Sequence, residues 1–458
     1  MELVKRLKTE GFAERLREGS IDFTPSIAEQ VLPRENLRGA VLGELDQHAI
    51  ARLLGKTCLR CPARVVQHQT VNRSRIMIKE TMRGLMEHAG VLIDGPNPWD
   101  LRVKDDRVFA RVLRQKSLGL GESYMDGWWD CAQLDEMICR LLRGGVEAKV
   151  RGNLRYLMRF LPAILLNLQT KGRARTIAER HYDIGNDLFF SFLDTSYRQY
   201  SCGYFKATED LNESQLDKLE LICRKLHINR DDHLLDIGCG WGGLARYAAE
   251  RSGCTVTAVN ISQEQLRYGR DSCKGLPVHF QDCDYRAVSG RFDKIVSVGM
   301  FEHVGQKNYR TFMKVVHSCL KDDGIFLLHT IGGNVSRMSC DPWIAKYIFS
   351  NGMLPSITQI ARAVEGLFVI EDWHNLGPHY DKTLMAWNAN FQQAWPRLKE
   401  KYDDRFKRMW EYYLLSCAGA FRARSIQVWQ VVMTKHGAGT PQPRCRDRSS
   451  RQANEHTP

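Results

Sequence analysis

Between residues 230 and 335 the hydrophobic positions fall into short continuous runs: HLLDIGC (233–239), TVTAVNI (255–261), PVHFQDC (277–283), FDKIVSVG (292–299) and GIFLLHTIG (324–332). Short apolar runs bounded by turn residues predict buried strands, and helical patterns fill the intervals. Strand–helix alternation of this kind predicts an α/β fold with a doubly wound, mostly parallel sheet. Upstream, RIMIKETMRGLMEHAG from Arg75 repeats apolar residues at helical spacing and stops at a glycine. SLGLGESYMDGWWD (117–130) reads as a turn-rich aromatic stretch, within a small domain that ends near Gly145. In the connector that follows, LRYLMRFLPAILLNLQ sets Arg155 and Arg159 beside a wide apolar face. That helix either lies on a bilayer with its arginines toward lipid phosphates or packs its apolar face on the protein itself. The expected organisation is an extension of unknown role over 1–75, a small domain over 76–145, a basic amphipathic linker over 146–178, a catalytic domain over 179–433 and a disordered basic tail over 434–458.

Charge sharpens this picture. The chain has 458 residues, 66 Lys+Arg against 53 Asp+Glu, and a formal net charge of +13. Basicity of that size suits nucleic acid, an anionic membrane surface or acidic ligands. It is local: residues 140–180 hold ten basic and two acidic side chains, whereas residues 230–330 hold 13 and 12. A nucleic-acid methyltransferase would place basic residues around its cleft and carry an N/D-P-P-Y type loop, and this chain has neither, so no nucleic-acid partner is expected. The longest apolar stretch, LPAILLNL (161–168), is far short of the ~20 residues that span a membrane. The start, MELVKRLKTEGFAERL, lacks the apolar core of a signal peptide. The 14 cysteines have no framework spacing, and the CxxC at Cys58–Cys61 has no second pair. Reduced thiols in a cytoplasmic setting, with no metal site, are expected.

The first strand runs into Leu234-Leu235-Asp236-Ile237-Gly238-Cys239-Gly240-Trp241-Gly242-Gly243. Glycines belong there because the backbone turns sharply and a ligand must approach it closely. The spelling satisfies the dinucleotide pattern G-x-G-x-x-G, and a ligand-free glycine turn is a third reading. Asp236, two residues before the first glycine, instead matches the D-x-G-x-G-x-G loop of S-adenosylmethionine (SAM) enzymes. Asn260 stands where a nicotinamide site wants a ribose-binding carboxylate. On the SAM reading, Asn260 and Gln265 lie over the ribose, and Asp284 and Tyr285 fit the adenine end. Ligands of open parallel sheets bind beyond the carboxyl ends of the strands, where all these segments fall.

The same rule selects Glu302, just past FDKIVSVG, and His329, at the end of GIFLLH. Two acid–base groups beyond adjacent strands suggest that a proton is moved as well as a methyl. Alone, each is an ordinary structural hydrogen bonder, and His303 is expected to point away from a cleft that Glu302 faces. The lead-in IAERHYDIGNDLFFSFLDTSYRQYSCGYF (177–205) is unusually aromatic. Its rings could line an acyl channel, steady a cation or cap the sheet edge.

Together, HYDIGNDLF, YSCGYF, LDIGCGWGG, SVGMFEHVG, FLLHTIG and CAGAFRAR closely resemble the cyclopropane-fatty-acyl-phospholipid synthases of bacteria. GLGESYMDGWW is similar to a motif of their small N-terminal domain and favours them over the shorter mycolic acid enzymes. The likeness runs from about Arg75 to Met433. It implies a Rossmann-like SAM-dependent methyltransferase domain with a smaller, lipid-associated N-terminal domain. It also implies methylene transfer from SAM to the cis double bond of unsaturated acyl chains in membrane phospholipids, and a bound bicarbonate ion as the base. Groups matching Glu302, His329 and Tyr380, with backbone donors at Cys202 and Ile331, hold that ion in the family. Tyr200 and Ser201 match SAM contacts, with Gly238, Gly240 and Gly242 in the loop. Cys417 matches a cysteine often marked as an active-site residue, although methyl transfer to an alkene needs no thiolate. A homodimer peripherally associated with the inner membrane, at an anionic bilayer surface, is the implied setting. Plain methylation of a lipid by the same fold is the alternative outcome, set by how the cation is quenched.

Overall fold

The structure, a computed structural model, describes residues 79–146 and 185–437 apart from Met338 and Asn351. They fall within one contact unit, residues 75–458. The expectations for the 1–75 extension, the Arg155/Arg159 helix and the basic tail beyond residue 437 lie outside the described residues. Among the described residues no helix is long and apolar enough to cross a membrane.

The strands are β1 (Arg102–Val103), β2 (Trp129–Asp130), β3 (His233–Ile237), β4 (Thr255–Asn260), β5 (Val278–Asp282), β6 (Phe292–Val298), β7 (Leu320–Gly333), β8 (Phe368–Asn375) and β9 (Ile426–Lys435). The helices are α1 (Arg107–Gln115), α2 (Ser117–Met125), α3 (Leu134–Arg143), α4 (Asn186–Phe192), α5 (Leu211–Leu226), α6 (Gly243–Ser252), α7 (Gln263–Ser272), α8 (Tyr309–Cys319), α9 (Pro342–Tyr347), α10 (Ile357–Val364), α11 (Gly377–Leu398) and α12 (Asp404–Arg422). Strands β3 to β9 form a seven-stranded sheet in the order β5-β4-β3-β6-β7-β9-β8. β5, β4, β3, β6 and β7 pair in parallel, and β9 runs antiparallel to both β7 and β8. The five apolar runs of the sequence are thus the five parallel strands, and the strand order reverses at β3, where the glycine loop begins.

Side-chain parity along β7 and β9 divides the core between the two faces. Leu328, Trp429, Val431 and Met433 join α8 and α10 in one apolar cluster, while Leu327 and Val432 join α5 and α6 in another. α5 is well delimited: the Asp210 carboxylate accepts from Glu213 N at 2.9 Å, and His227 ends the helix in the left-handed region at φ 54°.

A third cluster joins residues 79–146 to the C-terminal helices. Met86, Phe109, Leu118, Tyr124, Trp129 and Met137 share it with Phe189, Trp343, Trp387, Trp410 and Tyr412. Here the turn-rich reading of 117–130 is corrected, because Ser117–Met125 is the helix α2. Its glycines serve close packing: a Cβ on Gly121 would overlap the Trp343 indole, and one on Gly119 would meet the Arg111 carbonyl oxygen at 2.5 Å. Tertiary contact overrides the poor local helix propensity of glycine.

Glu122 ties α2 to α9. Its carboxylate accepts from Arg111 and from Lys346, each at 2.5 Å, and from the Tyr347 hydroxyl at 2.9 Å. Burial alone would raise its pKa, but these three donors hold it down at about 2. A carboxylate depressed on folding stabilises the protein above its unfolded pKa, near 4.3, and that stability is lost as pH falls toward 2. Wild-type melting temperature is therefore expected to drop between pH 5 and pH 2, and Glu122→Gln to show a shallower drop over the same window. Parallel melting curves for the two proteins would deny Glu122 this role.

Candidate active site

The loop after β3 is shaped by what its glycines touch. Gly238, Gly240 and Gly242 have φ of 85°, 55° and 80°, in the region other residues avoid. A Cβ on Gly238 would meet Met300 at 2.7 Å, and one on Gly242 would meet the Phe280 ring at 2.6 Å. The N–H groups of Gly238 and Cys239 donate to Val259 O at 2.9 and 3.2 Å, which binds the loop to the end of β4. There Asn260 Nδ2 donates to Gln265 Oε1 at 2.8 Å and to Gly240 O at 3.3 Å. Asn260 and Gln265 thus hold each other against the glycine loop.

Asp236 is buried beneath the loop, with Oδ2 free of any hydrogen-bond partner. Burial raises its pKa to about 7, with Lys218 opposing the rise. Lys218, fully buried on α5, donates to Gln199 Oε1 at 2.5 Å and to Ser201 Oγ at 3.0 Å. Burial pulls its pKa down to about 8, against the attraction of Asp194 and Asp236. The segment it supports is also pinned by Asp194, whose carboxylate accepts from the N–H groups of Tyr197, Arg198 and Gln199 at 2.7, 3.0 and 2.6 Å. That clamp sets Tyr200 with its ring stacked on Trp387 at 5.2 Å and its hydroxyl 2.9 Å from that of Tyr413.

Beyond β6, Glu302 sits on a single 3₁₀ turn, Phe301–His303. Its Oε1 accepts from Ile331 N at 2.6 Å, and its buried Oε2 has no partner. Burial raises its pKa to about 7 although the Ile331 hydrogen bond opposes this. His303 also borders the cavity, against expectation, because at about 120° per residue a 3₁₀ turn can present consecutive side chains to one space. His329 is 2% exposed, and burial pulls its pKa down to about 3, with repulsion from Lys218 and Lys225 adding to the effect, so the ring is neutral. Tyr380 packs its ring 4.8 Å from that of Phe421, and burial pushes its phenol well above the usual value.

One cavity of about 1050 Å³ joins these parts, and Tyr200, Ser201, Cys202, Asp236, Gly238, Gly240, Asn260, Gln265, Asp284, Tyr285, Glu302, His329, Ile331, Tyr380 and Cys417 all border it. Gly242 lies in the loop but not on that wall. A single small-molecule site occupies roughly 300–1,000 Å³, so this space is large enough for two ligands. Its far end passes under the N-terminal helices, where Met82, Leu85, Met86, Leu113, Leu141 and Leu142 make an apolar wall.

Some placements differ in detail from what the motifs suggest. The Asp284 carboxylate is engaged by Arg286, at 2.8 and 3.0 Å, and Tyr285 packs against Phe312 with its hydroxyl buried and unpartnered. The Ile331 N–H serves Glu302 itself. Burial raises the Cys202 and Cys417 thiols above their ordinary value, so neither is a thiolate at neutral pH. Sequence reasoning missed Lys218 and the apolar wall from residues 79–146. A lysine at an apolar position of α5 was the available signal for the first, and only tertiary packing reveals the second.

Residues 169–431 match the family model described as mycolic acid cyclopropane synthetase. The chain is 52% identical over 351 residues to the cyclopropane-fatty-acyl-phospholipid synthase of Escherichia coli (strain K12), covering 77% of this chain and 92% of that protein. It is 32% identical over 356 residues to the tuberculostearic acid methyltransferase UfaA1 of Mycobacterium tuberculosis, covering 73% of this chain and 82% of that one. Among solved structures, the mycolic acid cyclopropane synthase CmaA1 complexed with SAH and CTAB superposes with a TM-score of 0.53 at 30% identity, over 57% of this chain and 97% of that one.

Proposed function

The chain belongs to the mycolic acid cyclopropane synthetase family, and from that premise we propose that it is a SAM-dependent cyclopropane-fatty-acyl-phospholipid synthase. Its reaction is methylene transfer from SAM to the cis double bond of an unsaturated acyl chain in a membrane phospholipid. The observation that carries this reading is the single cavity running from the glycine loop, past Glu302 and His329, to an apolar wall suited to an acyl chain.

The residues fit the two absent groups. Positive-φ glycines at 238 and 240 leave the loop open to close approach, and Asn260, Gln265, Tyr200 and Ser201 border the same space. The buried, unpartnered Glu302 Oε2, which can carry a proton because burial raises the carboxyl pKa to about 7, and the neutral His329 ring suit a small oxyanion. When bound, SAM supplies an electrophilic methyl group and bicarbonate supplies a base. This chain's task is to hold the alkene in line and dry, because a π bond is a weak nucleophile and a carbocation is captured by water. Met86, Leu141 and Leu142 line the chain-binding end with apolar surface, while the rings of Tyr200, Tyr380 and Tyr413 border the space in which positive charge develops. Glu302, braced by Ile331, and the phenol of Tyr380 complete the oxyanion cradle. The basic segment 146–178 is the part proposed to meet an anionic bilayer.

Incubation with unsaturated phospholipid vesicles and methyl-labelled SAM, followed by fatty-acid analysis, tests the reading. Label in cyclopropane acyl chains supports it. Methyl-branched chains would move the protein to lipid methylation, and unlabelled lipid from folded, SAM-binding protein would sink both. Cys417 touches the cavity as a protonated thiol, so Cys417→Ala is expected to keep most of the turnover. A hundredfold loss would assign the thiol a chemical role.

A further inference from the structure

The neutral ring of His329 raises the question of which nitrogen carries its proton. His329 on β7 is the direct cross-strand partner of Gln430 on β9, and Gln430 is in turn the partner of His374 on β8. Direct partners across a sheet project to the same face, so the three side chains form one row. The row lies on the face covered by α5: Leu327 and Val432, two residues from His329 and Gln430, pack in the cluster that contains Leu219, Ile222 and Leu226. His374 Nδ1 lies 3.2 Å from Lys225 Nζ at the end of α5, and Lys225 is ion-paired with Asp372 at 3.0 Å.

We infer that Gln430 is a positioning residue for His329: its side-chain amide donates to Nδ1, fixes the proton on Nε2 and so presents an N–H donor to the cavity. Gln430 Nε2 stands 3.3 Å from His329 Nδ1, and both residues are buried. Gln430 Oε1 has no partner. Turning the amide over would leave its NH₂ unpartnered instead, so Gln430's own hydrogen bonds do not choose between the two orientations. The other ring nitrogen chooses. With the proton on Nε2 it is a donor, which suits the proposed oxyanion. With the proton on Nδ1 a bare lone pair would face that same acceptor. Protonating both nitrogens is opposed by burial and by Lys218 and Lys225 on α5. Both the choice of tautomer and its functional consequence rest on the proposed oxyanion site, but the tautomer is read directly, without turnover.

The test is a long-range proton–nitrogen NMR spectrum of histidine-labelled full-length protein, with His329 assigned by its loss in His329→Asn. A bare Nδ1 and a protonated Nε2 are expected in the wild type. In Gln430→Glu the carboxylate accepts from Nδ1–H, so the proton moves to Nδ1 or the ring gains a second one. Turnover then falls roughly 10- to 100-fold, the scale known for partners that orient metal-ligating histidines, with SAM affinity and lipid KM little changed. Gln430→Met, of similar length and without a donor, is expected to weaken the bias, so that an Nδ1–H form appears beside Nε2–H, and to fall similarly in kcat. Wild-type His329 protonated on Nδ1 overturns the inference, as does Gln430→Met with unchanged tautomer and kcat. Should both variants fail to fold, the wild-type spectrum decides alone. If the wild type makes no cyclopropane product yet shows the tautomer and its response to Gln430→Glu, the assigned reaction fails and the positioning stands.

Discussion

Glu302→Gln is expected to leave SAM binding intact and to lower cyclopropane formation by roughly 10²- to 10⁴-fold, the range for removing a positioned proton-handling group. The substitution keeps the shape of the site. An amide oxygen can still accept from Ile331 N, as Oε1 does at 2.6 Å, so the brace between the β6 and β7 ends survives. What changes is the buried, unpartnered Oε2 position, which becomes an NH₂ group that neither takes up a proton nor exchanges one. Burial that lifts the Glu302 pKa to about 7 makes the native carboxyl able to do both near neutral pH. In the proposed placement SAM is held by the loop after β3 and by Tyr200 and Ser201, and the Glu302 carboxylate is braced elsewhere, by Ile331 N. Calorimetric SAM titration beside the vesicle assay separates the two effects. Wild-type rates of cyclopropane formation in Glu302→Gln would remove Glu302 from the reacting centre, and loss of SAM binding would make it a structural residue.

How much of this was legible in sequence follows from where each residue's role is decided. The inner parallel strands β3, β4, β6 and β7 were legible because both faces of such a sheet are largely buried, so they are written as apolar runs. β5, at the edge and partly exposed, was legible from its place in the strand–helix alternation. β8 and β9 escaped that reading. β8, FVIEDWHN, is an edge strand that alternates with charge, and β9, IQVWQVVMTK, interrupts its apolar run with Gln430. Glu302 and His329 were legible because a topological rule places ligands beyond strand ends, so position along the chain implied position in space. Lys218 and Gln430 were not, since a polar residue inside an apolar element looks like solvent-facing surface until its partner across the fold is known. The helix α2 was hidden for a similar reason: its glycines signal a turn locally, and only the close approach of Trp343 and Tyr412 to Gly121 and of Arg111 to Gly119 explains why this helix needs them. The family resemblance closed part of that gap. The covering of the cavity by Met82, Met86 and Leu113, however, is a product of packing that no local pattern announces.

Gly243→Ala is expected to weaken SAM binding roughly five- to a hundredfold, although Ala suits the first turn of a helix better than Gly does. The reason is contact and not backbone angle. Gly243 opens α6 and is not among the positive-φ residues, but a Cβ there would overlap the carbonyl oxygen of Tyr197 and the side-chain amide of Gln199. That neighbour cannot yield cheaply: the Asp194 carboxylate holds three successive N–H groups of the segment, and Lys218 holds the Gln199 side chain. Overpacking against a fixed wall costs about 1–3 kcal/mol. The relief available is to push residues 197–201 outward, carrying Tyr200 and Ser201 away from the cavity they border. Restoring their places on binding then costs a comparable free energy, and each 1.4 kcal/mol is a factor of about ten in affinity. Gly240 is the complementary case, because its φ of 55° strains an alanine while nothing lies within 4 Å of the added carbon. The backbone penalty of about 1–2 kcal/mol is present with and without SAM and cancels, so any loss of affinity there comes from the added carbon standing in the cavity that Gly240 borders. Titrating SAM into both variants ranks the two causes. Gly243→Ala binding SAM as tightly as the wild type would show that the 197–201 segment is not what the glycine protects.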